Sequence, residues 1–190
     1  MEMEVIPFGE SESAMFKYEM LNRARKIIVP LIPITDDEYI ELHGDIRKST
    51  FYQPKDNGEI RIISMDVAIA AGRSNDNTVF EVFRLMENGT YYNKELAYIE
   101  VMNGVNLDNQ ILRFKQLFYD LECDYAVIDA GGGLGINAAN TCGSKTTDAI
   151  RNVKYPGWRT CNMVEKFDMR VDDPNAEPVL FTIQVSGLGA

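Results

Sequence analysis

The sequence is poor in the residues that build soft metal sites and disulfide scaffolds. It contains one histidine, His43, and three cysteines that form no C-x-x-C pair. Zinc sites need several histidine or cysteine ligands at short spacing, and disulfide frameworks use an even number of cysteines. The sequence therefore predicts neither, and it is typical of a protein of a reducing compartment such as the cytoplasm.

Long apolar runs and basic charge are also scarce. No apolar run approaches the roughly 20 residues that span a bilayer, and the acidic start Met1-Glu2-Met3-Glu4 is unlike a signal peptide. We therefore expect no membrane span and no secretion. The 19 basic and 29 acidic residues give a net charge of −10. This charge disfavours a protein that holds nucleic acid by bulk attraction, but not an enzyme whose carboxylates bind divalent cations.

The chain divides into an N-terminal extension and one globular domain. Apolar residues recur near helical spacing over residues 13–28, and Pro30 and Pro33 then interrupt regular structure. The hydrophobic patterns sharpen only after this stretch. We interpret residues 1–57 as an arm or connector and residues 58–190 as the core domain.

The core domain has the pattern of a mixed α/β protein. Asn88-Gly89 is a tight-hairpin signal, and Asn106 is a good helix cap. The predicted order is β-β-β-α-β-α-β, which gives a mixed sheet of about five strands, the first three antiparallel, flanked by helices. The expected strands are 60–68, 78–85, 91–101, 125–129 and 179–185, and the expected helices are 107–121 and a short one within 136–150.

Two aspartates occupy positions in apolar strands, where burying an ionised carboxylate costs free energy. Asp66 interrupts an apolar strand, and Asp129 ends a short buried one. If the two strands are neighbours, the carboxylates converge at one edge of the sheet, where a cation would offset their repulsion. Oxygen ligands suit Mg²⁺ or Mn²⁺, which in two-metal sites lie about 3.5 to 4 Å apart. The alternative is that each aspartate is structural, bonded to a neighbouring hydroxyl or amide.

Other candidate residues flank this pair. Asp76 precedes the second strand and is either a third acid or an ordinary turn residue. Gly131 and Gly132 follow Asp129 and either let a nucleic-acid backbone approach, cradle a phosphate, or simply make a tight turn. Lys145 and Arg151 are the basic residues best placed to contact DNA, and the alternative for each is an ordinary solvated charge.

The core resembles the C-terminal nuclease domain of the large terminase subunit of tailed bacteriophages, which has an RNase H-like fold. The resemblance runs over most of the chain and is strongest from residue 58 to residue 136. The matching segments are GEIRIISMDVA (58–68), SNDNTVFEVFRL (74–85), YIEVMNGVN (98–106), NQILRFKQLFYDLECDY (109–125) and AVIDAGGGLGI (126–136).

The resemblance implies a metal-dependent endonuclease that cuts concatemeric double-stranded phage DNA by two-metal phosphodiester hydrolysis with Mg²⁺ or Mn²⁺. By similarity, Asp66 matches the metal ligand of the first strand and Asp129 that of the fourth. The implied partners are double-stranded DNA, the packaging ATPase domain, the small terminase subunit and the portal. The implied location of this phage-encoded protein is the cytoplasm of the bacterial host.

Two features depart from the family pattern. The family places a third acid on a helix after the fifth strand, whereas this chain ends at Ala190, and the upstream ATPase is also missing. We therefore expect weak metal binding and weak or absent cleavage. Two other hypotheses stay open: an actin-like nucleotide-binding protein of the same core fold, and a non-catalytic assembly domain of the packaging motor.

Overall fold

The protein contains two compact units, residues 1–30 and residues 31–190. The structure is a computed structural model that describes residues 18–25, 30–68, 77–130, 132–162 and 169–183. In the first unit, helix α1 spans Tyr18–Ala24. It covers part of the helix predicted at 13–28, and much of that segment lies outside the described residues. The boundary between the units thus lies before Leu31, earlier than the predicted boundary after residue 57.

The second unit alternates strands and helices in the predicted order, with additional short elements. The helices are α2 (Asp36–Glu41), a single 3₁₀ turn (Ile46–Lys48), α3 (Leu107–Asp120) and α4 (Gly133–Cys142). The strands are β1 (Ile60–Asp66), β2 (Thr78–Asn88), β3 (Tyr91–Met102), β4 (Tyr125–Asp129), β5 (Thr146–Asp148), β6 (Val153–Tyr155), β7 (Trp158–Thr160) and β8 (Glu177–Ile183).

Six of these strands form one mixed sheet in the order β3-β2-β1-β4-β8-β7. Strands β1, β2 and β3 are antiparallel, whereas β4 is parallel to β1 and β8 is parallel to β4. The predicted fold class, an α/β fold with a mixed sheet whose first three strands are antiparallel, is confirmed, with six strands where about five were expected. This sheet is compatible with an RNase H-like fold. The Asn88-Gly89 hairpin is also confirmed, since Asn88 pairs with Tyr91 and Gly89 has a φ of 65°.

The hydrophobic core lies between the sheet and α3. Successive strand residues point to opposite faces, and the face that packs on α3 is here called the helix face. Phe80 of β2 stacks on Phe114 of α3 at 5.9 Å between ring centroids, and Phe114 meets Trp158 edge-on at 5.4 Å. Fully buried residues of the helix face are Ile63, Phe80, Val82, Ala126, Ile128 and Leu180. Burial of this apolar area is the main stabilising contribution to the fold.

Part of the segment interpreted from sequence as a connector belongs to this packed unit. Leu31 and Ile34 are buried, and the Leu31 amide donates to the carbonyl of Ala97 at 3.0 Å. Leu31 and Ile34 are therefore part of the packed unit and not of a separate connector. Pro156 and Gly157, a typical loop signal, separate strands β6 and β7, and Trp158 enters the sheet and is fully buried.

Lys115 on α3 is buried, and none of the described carboxylates bonds to its ammonium group. Its Nζ donates to the carbonyl oxygens of Cys142 at 3.2 Å, Ser144 at 2.9 Å and Pro156 at 2.8 Å. It also lies 5.3 Å from the centre of the Trp158 ring. A lysine ammonium has three donors, so these three carbonyls satisfy it completely. Lys115 thereby ties α3 to the chain that leaves α4.

We expect the charge of Lys115 to make stability depend on pH. Burial lowers the pKa of Lys115 to about 8. The charged ammonium is therefore less favourable in the folded protein than in the unfolded chain, and this lowers the free energy of unfolding. The cost falls as pH rises from the pKa of the folded protein toward that of the unfolded chain, because Lys115 then loses its proton in the folded state. The free energy of unfolding of the native chain should therefore rise by about 1 to 3 kcal/mol relative to Lys115→Met between about pH 7.5 and pH 10.

Urea titrations at each pH measure this difference, with the fluorescence of Trp158, the single tryptophan, as the signal. Taking the difference between the two proteins cancels the ionisation of the tyrosines, which both contain. A difference that stays constant across the pH range would contradict the prediction.

Candidate functional site

The register of the sheet places Asp66 and Asp129 side by side. Strands β1 and β4 are parallel neighbours whose last paired residues are Met65 and Ile128, and each aspartate comes one position later. Neighbouring strands lie about 4.7 to 4.9 Å apart. Met65 and Ile128 point into the helix face, so the two aspartates point to the opposite face, here called the carboxylate face. Both side chains are exposed.

The end of β1 is held by a buried polar network. The Oγ1 of Thr78 accepts from the amide of Ala68 at 2.9 Å and donates to the Ala68 carbonyl at 2.8 Å or to the Gln110 side-chain oxygen at 2.9 Å. The Gln110 amide also donates to the Ala68 carbonyl, at 2.8 Å. Thr78 and Gln110 are 0% and 1% exposed. The backbone just beyond Asp66 is thus fixed to β2 and α3.

The end of β4 is held from two sides. Asp129 pairs with Ile183 of β8, and the next amide, that of Ala130, donates to the Ile183 carbonyl at 2.7 Å. On the other side α4 packs so closely that a Cβ added at Gly135 would lie 1.7 Å from the Asp129 carbonyl oxygen. Gly135 therefore has a packing role that the sequence prediction did not assign to it. Both aspartates project from ends that are well anchored.

A third carboxylate shares the carboxylate face. Glu81 of β2 pairs with Ser64, two residues before Asp66, and accepts a hydrogen bond from the Ser64 hydroxyl at 3.3 Å. Its side chain is half-buried. Sequence reasoning missed Glu81. A signal was present, since the other same-face residues in the part of β2 that pairs with β1 are apolar: Val79, Phe83 and Leu85.

The donor set fits a hard cation that keeps part of its water shell. Mg²⁺ is commonly held by one or two carboxylates, with waters and substrate phosphates completing its ligands. Asp66 and Asp129 supply two such carboxylates at an exposed edge. Within the described part of the chain, no three His, Cys, Asp or Glu side chains are grouped closely enough to hold a metal ion. The site is therefore a carboxylate pair with Glu81 further along the same face.

The glycine turn after Asp129 is only partly described. Asp76 and Gly131 lie outside the described residues. Gly132 caps α4 with an extended φ of −128°, and a Cβ added there or at Gly133 would meet nothing within 4 Å. Among the described residues nothing packs against these two positions, so neither requires glycine for its own packing and both leave open space around them. The proposed close approach of a ligand backbone at Gly132 stays a prediction.

The structure does not bring Lys145 to the carboxylate pair. Lys145 follows the C-terminal end of α4, whereas Asp129 precedes its N-terminal end, and ten helical residues span about 15 Å. The Lys145 side chain is 43% exposed, and its Nζ lies 3.5 Å from a carboxylate oxygen of Asp173. A contact between Lys145 and DNA would therefore occur away from Asp66 and Asp129.

The prediction that Arg151 contacts DNA is wrong. Its side chain is completely buried and bonded to carboxylates, with Nε 2.6 Å from Asp36 and Nη1 2.7 Å from Asp120. Its Nη2 donates to the Ile34 carbonyl at 3.1 Å, and its guanidinium lies 4.6 Å from the centre of the Tyr39 ring. The role of Arg151 is to hold the N-terminal part of this unit against α3.

Comparison with protein-family models, with curated proteins and with solved structures finds no match to this chain. Among the described residues, none of the helices has the length and apolar character required to cross a bilayer.

Proposed function

We propose that the chain is a metal-dependent endonuclease domain of the phage terminase type, acting on double-stranded DNA with Mg²⁺ or Mn²⁺ held by Asp66 and Asp129. The observation that carries the proposal is the adjacency of these two exposed aspartates at the ends of parallel neighbouring strands.

The residues of the chain have distinct roles in this proposal. Asp66 and Asp129 hold the cation, and the Thr78–Gln110 network and Gly135 keep the two strand ends at a fixed separation. Glu81 adds negative charge on the same face and holds the Ser64 hydroxyl. When bound, the metal supplies Lewis acidity and positive charge at a phosphodiester. The open side at Gly132 and Gly133 gives a DNA backbone room beside Asp129.

The acidic chain requires the cation for DNA binding. At a net charge of −10, the protein repels phosphate at long range. Cations bound at Asp66 and Asp129 would make the electrostatic potential at the site attractive to phosphate. DNA binding should therefore require divalent metal. The packaging ATPase, small terminase subunit and portal are the partners that this proposal implies, in the cytoplasm of a bacterial host.

We expect metal binding to stabilise the native chain and not the site variants. With 1 mM Mn²⁺ and a Kd near 0.1 mM, the unfolding temperature should rise by about 3 to 6 °C. Asp66→Asn and Asp129→Asn should each lose most of this shift, because each removes a charged ligand and keeps the side-chain shape. Thermal unfolding in the presence of Mn²⁺ or of EDTA measures the shift in unfolding temperature. A supercoiled-plasmid nicking assay on the same proteins measures DNA cleavage.

Asp56→Asn is the matched control. It makes the same charge change at an exposed position before β1, at the opposite end of that strand from Asp66, and it should keep the full shift. Metal-dependent nicking that Asp66→Asn abolishes would support the endonuclease. A shift without nicking would support the metal site and contradict cleavage by this chain alone. A native chain that Mn²⁺ leaves unshifted would overturn the metal site, and stabilisation by ATP instead would favour the nucleotide-binding hypothesis.

A further inference from the structure

The chain contains three Asn-Gly pairs, and each lies where the chain enters or leaves a strand of the sheet. They are Asn57-Gly58 before β1, Asn88-Gly89 between β2 and β3, and Asn103-Gly104 after β3. Because glycine has no Cβ, its backbone amide is unusually accessible to the side chain of the preceding asparagine. The three pairs are therefore candidate sites of spontaneous modification, a reaction separate from the proposed nuclease chemistry.

The reaction in question is ring closure followed by hydrolysis. The glycine amide nitrogen loses its proton to solvent and bonds to Cγ of the asparagine, and the Cγ–Nδ2 bond breaks to release ammonia. Water then opens the five-membered succinimide at either carbonyl, which gives aspartate or isoaspartate and adds one negative charge. To reach the geometry of ring closure, the side-chain amide must leave any hydrogen bond that holds it elsewhere.

Hydrogen bonds restrain two of the three asparagines. The Asn88 side-chain nitrogen donates to the Tyr91 hydroxyl at 2.8 Å and to the Asn93 side-chain oxygen at 3.3 Å. The Asn103 side-chain nitrogen donates to the side-chain oxygen of Asn77. Ring closure at either position must first break these bonds, and one hydrogen bond of typical net strength slows such a step about fivefold.

The third asparagine, Asn57, is not restrained in this way. Asn57 and Gly58 are both exposed, and a Cβ added at Gly58 would meet nothing within 4 Å. Among the described residues, no group bonds to the Asn57 side chain or to the Gly58 amide. Solvent therefore reaches the glycine amide, and the asparagine side chain approaches it without breaking a hydrogen bond.

The turn that contains Asn57 is coupled to a buried ion pair at the start of β1. The Glu59 amide donates to the Asp56 carbonyl at 3.0 Å, and the Asp56 amide donates to the Glu59 carboxylate at 2.8 Å. These two bonds close the turn. The Glu59 side chain is 3% exposed and accepts from Nε of Arg61 at 2.6 Å. Isoaspartate at position 57 adds one carbon to the main chain inside the turn, so the closing bonds must lengthen or break.

We propose that Asn57 is the site of spontaneous deamidation in this chain, by ring closure onto the Gly58 amide, and that isoaspartate at this position loosens the start of β1. The reaction needs water as its only co-reactant. The product places a new carboxylate two residues from that of Glu59, and like charges repel. The modified chain should therefore be less stable than the native chain.

Mass spectrometry of tryptic peptides from aged protein measures each site separately. Cleavage after lysine and arginine places the three pairs in peptides 56–61, 85–94 and 95–113. Deamidation raises the mass of a peptide by about 1 Da, and electron-transfer fragmentation assigns the residue and distinguishes isoaspartate from aspartate. In the folded chain, Asn57 should react at least about fivefold faster than the other two asparagines. In urea, where the restraining hydrogen bonds are lost, the three rates should become similar.

Two variants test the physical reasons for this difference. Asn57→Gln lengthens the side chain by one carbon, so the five-membered ring cannot form and peptide 56–61 should stay unmodified. Tyr91→Phe combined with Asn93→Ala removes both acceptors of the Asn88 amide at exposed positions, and Asn88 should then react about fivefold faster. Circular dichroism confirms that both variants are folded.

Thermal unfolding measures the consequence for the fold. Once Asn57 is converted, the chain should unfold about 2 to 4 °C lower than fresh protein, whereas aged Asn57→Gln should be unchanged. The proposal is overturned if Asn88 or Asn103 reacts as fast as Asn57 in the folded chain, or if Asn57 stays the fastest in urea, since local sequence would then set the rate. An unfolding temperature that isoaspartate leaves unchanged would overturn the coupling to β1. None of these outcomes depends on Asp66 or Asp129.

Discussion

Replacing Arg151 by methionine is expected to lower the free energy of unfolding by about 3 to 5 kcal/mol, because it leaves buried carboxylates without their cation. Asp120 accepts two hydrogen bonds from Nη1 of Arg151, at 2.7 and 3.0 Å, and Asp120 and Asp148 side chains are each 1% exposed. Methionine fills similar space but donates nothing. Urea unfolding measures the loss. Arg159→Met, at an exposed position on β7, is the control and should change stability by less than about 0.5 kcal/mol.

The cost of Arg151→Met should also depend on pH. Burial raises the pKa of Asp120 to about 6 even though Arg151 opposes the shift. Without Arg151 that pKa rises further. A group whose pKa is raised by folding loses its stabilising contribution as pH rises through the folded value. The cost of the substitution should therefore be largest above about pH 6 and smaller near pH 4. A cost independent of pH would show that lost packing, rather than charge, dominates.

The central part of the fold could be predicted from local pattern alone. Strand β4 consists of four apolar residues followed by Asp129, and its bounds, Tyr125–Asp129, match the prediction. The Asn106 cap also holds, since its side chain accepts from the Asn109 amide at 2.9 Å. These signals depend only on residues close in sequence, so they can be recognised without knowing the contacts made by the rest of the chain. The adjacency of Asp66 and Asp129 follows from the sheet topology. Each aspartate ends its strand, and the C-terminal ends of β1 and β4 lie together because the two strands are parallel neighbours.

The errors concern contacts between distant parts of the sequence. Arg151 pairs with Asp120, 31 residues away, and with Asp36, 115 residues away. No local pattern reveals such partners, so Arg151 had the appearance of a solvated base. Strands β6 and β7 are three residues long and flank Pro156-Gly157, a typical loop signal, and they form because Trp158 is drawn into the core. In each case tertiary burial overrides the local signal.

Substituting Gly135 by alanine is expected to destabilise the protein by about 3 kcal/mol and to move the end of α4. The new methyl group would lie 1.7 Å from the Asp129 carbonyl oxygen and 2.8 Å from its carbon. An ordinary contact needs about 3.5 Å, so α4 must withdraw by about 2 Å or displace the strand end. Backbone cannot rotate away as a flexible side chain does. Thermal and urea unfolding measure the loss.

Gly133→Ala is the matched control on the same helix. A Cβ there meets nothing within 4 Å, and alanine favours the helix over glycine by up to about 1 kcal/mol, so this variant should be slightly more stable than the native chain. Opposite signs from the same chemical change, two residues apart, would separate packing from helix propensity. Equal effects at the two positions would contradict the tight contact between α4 and β4.

The Gly135→Ala variant also connects packing to the proposed metal site. Its clash falls on the backbone of Asp129, so the separation between the Asp66 and Asp129 carboxylates should change although neither side chain is altered. Tested below its own unfolding temperature, the variant should lose most of the Mn²⁺-dependent stabilisation, whereas Gly133→Ala should keep it. If Gly135→Ala is destabilised yet retains the full Mn²⁺ shift, the ion does not require the two carboxylates at a fixed spacing, and binding through Asp66 with other ligands would replace the paired site.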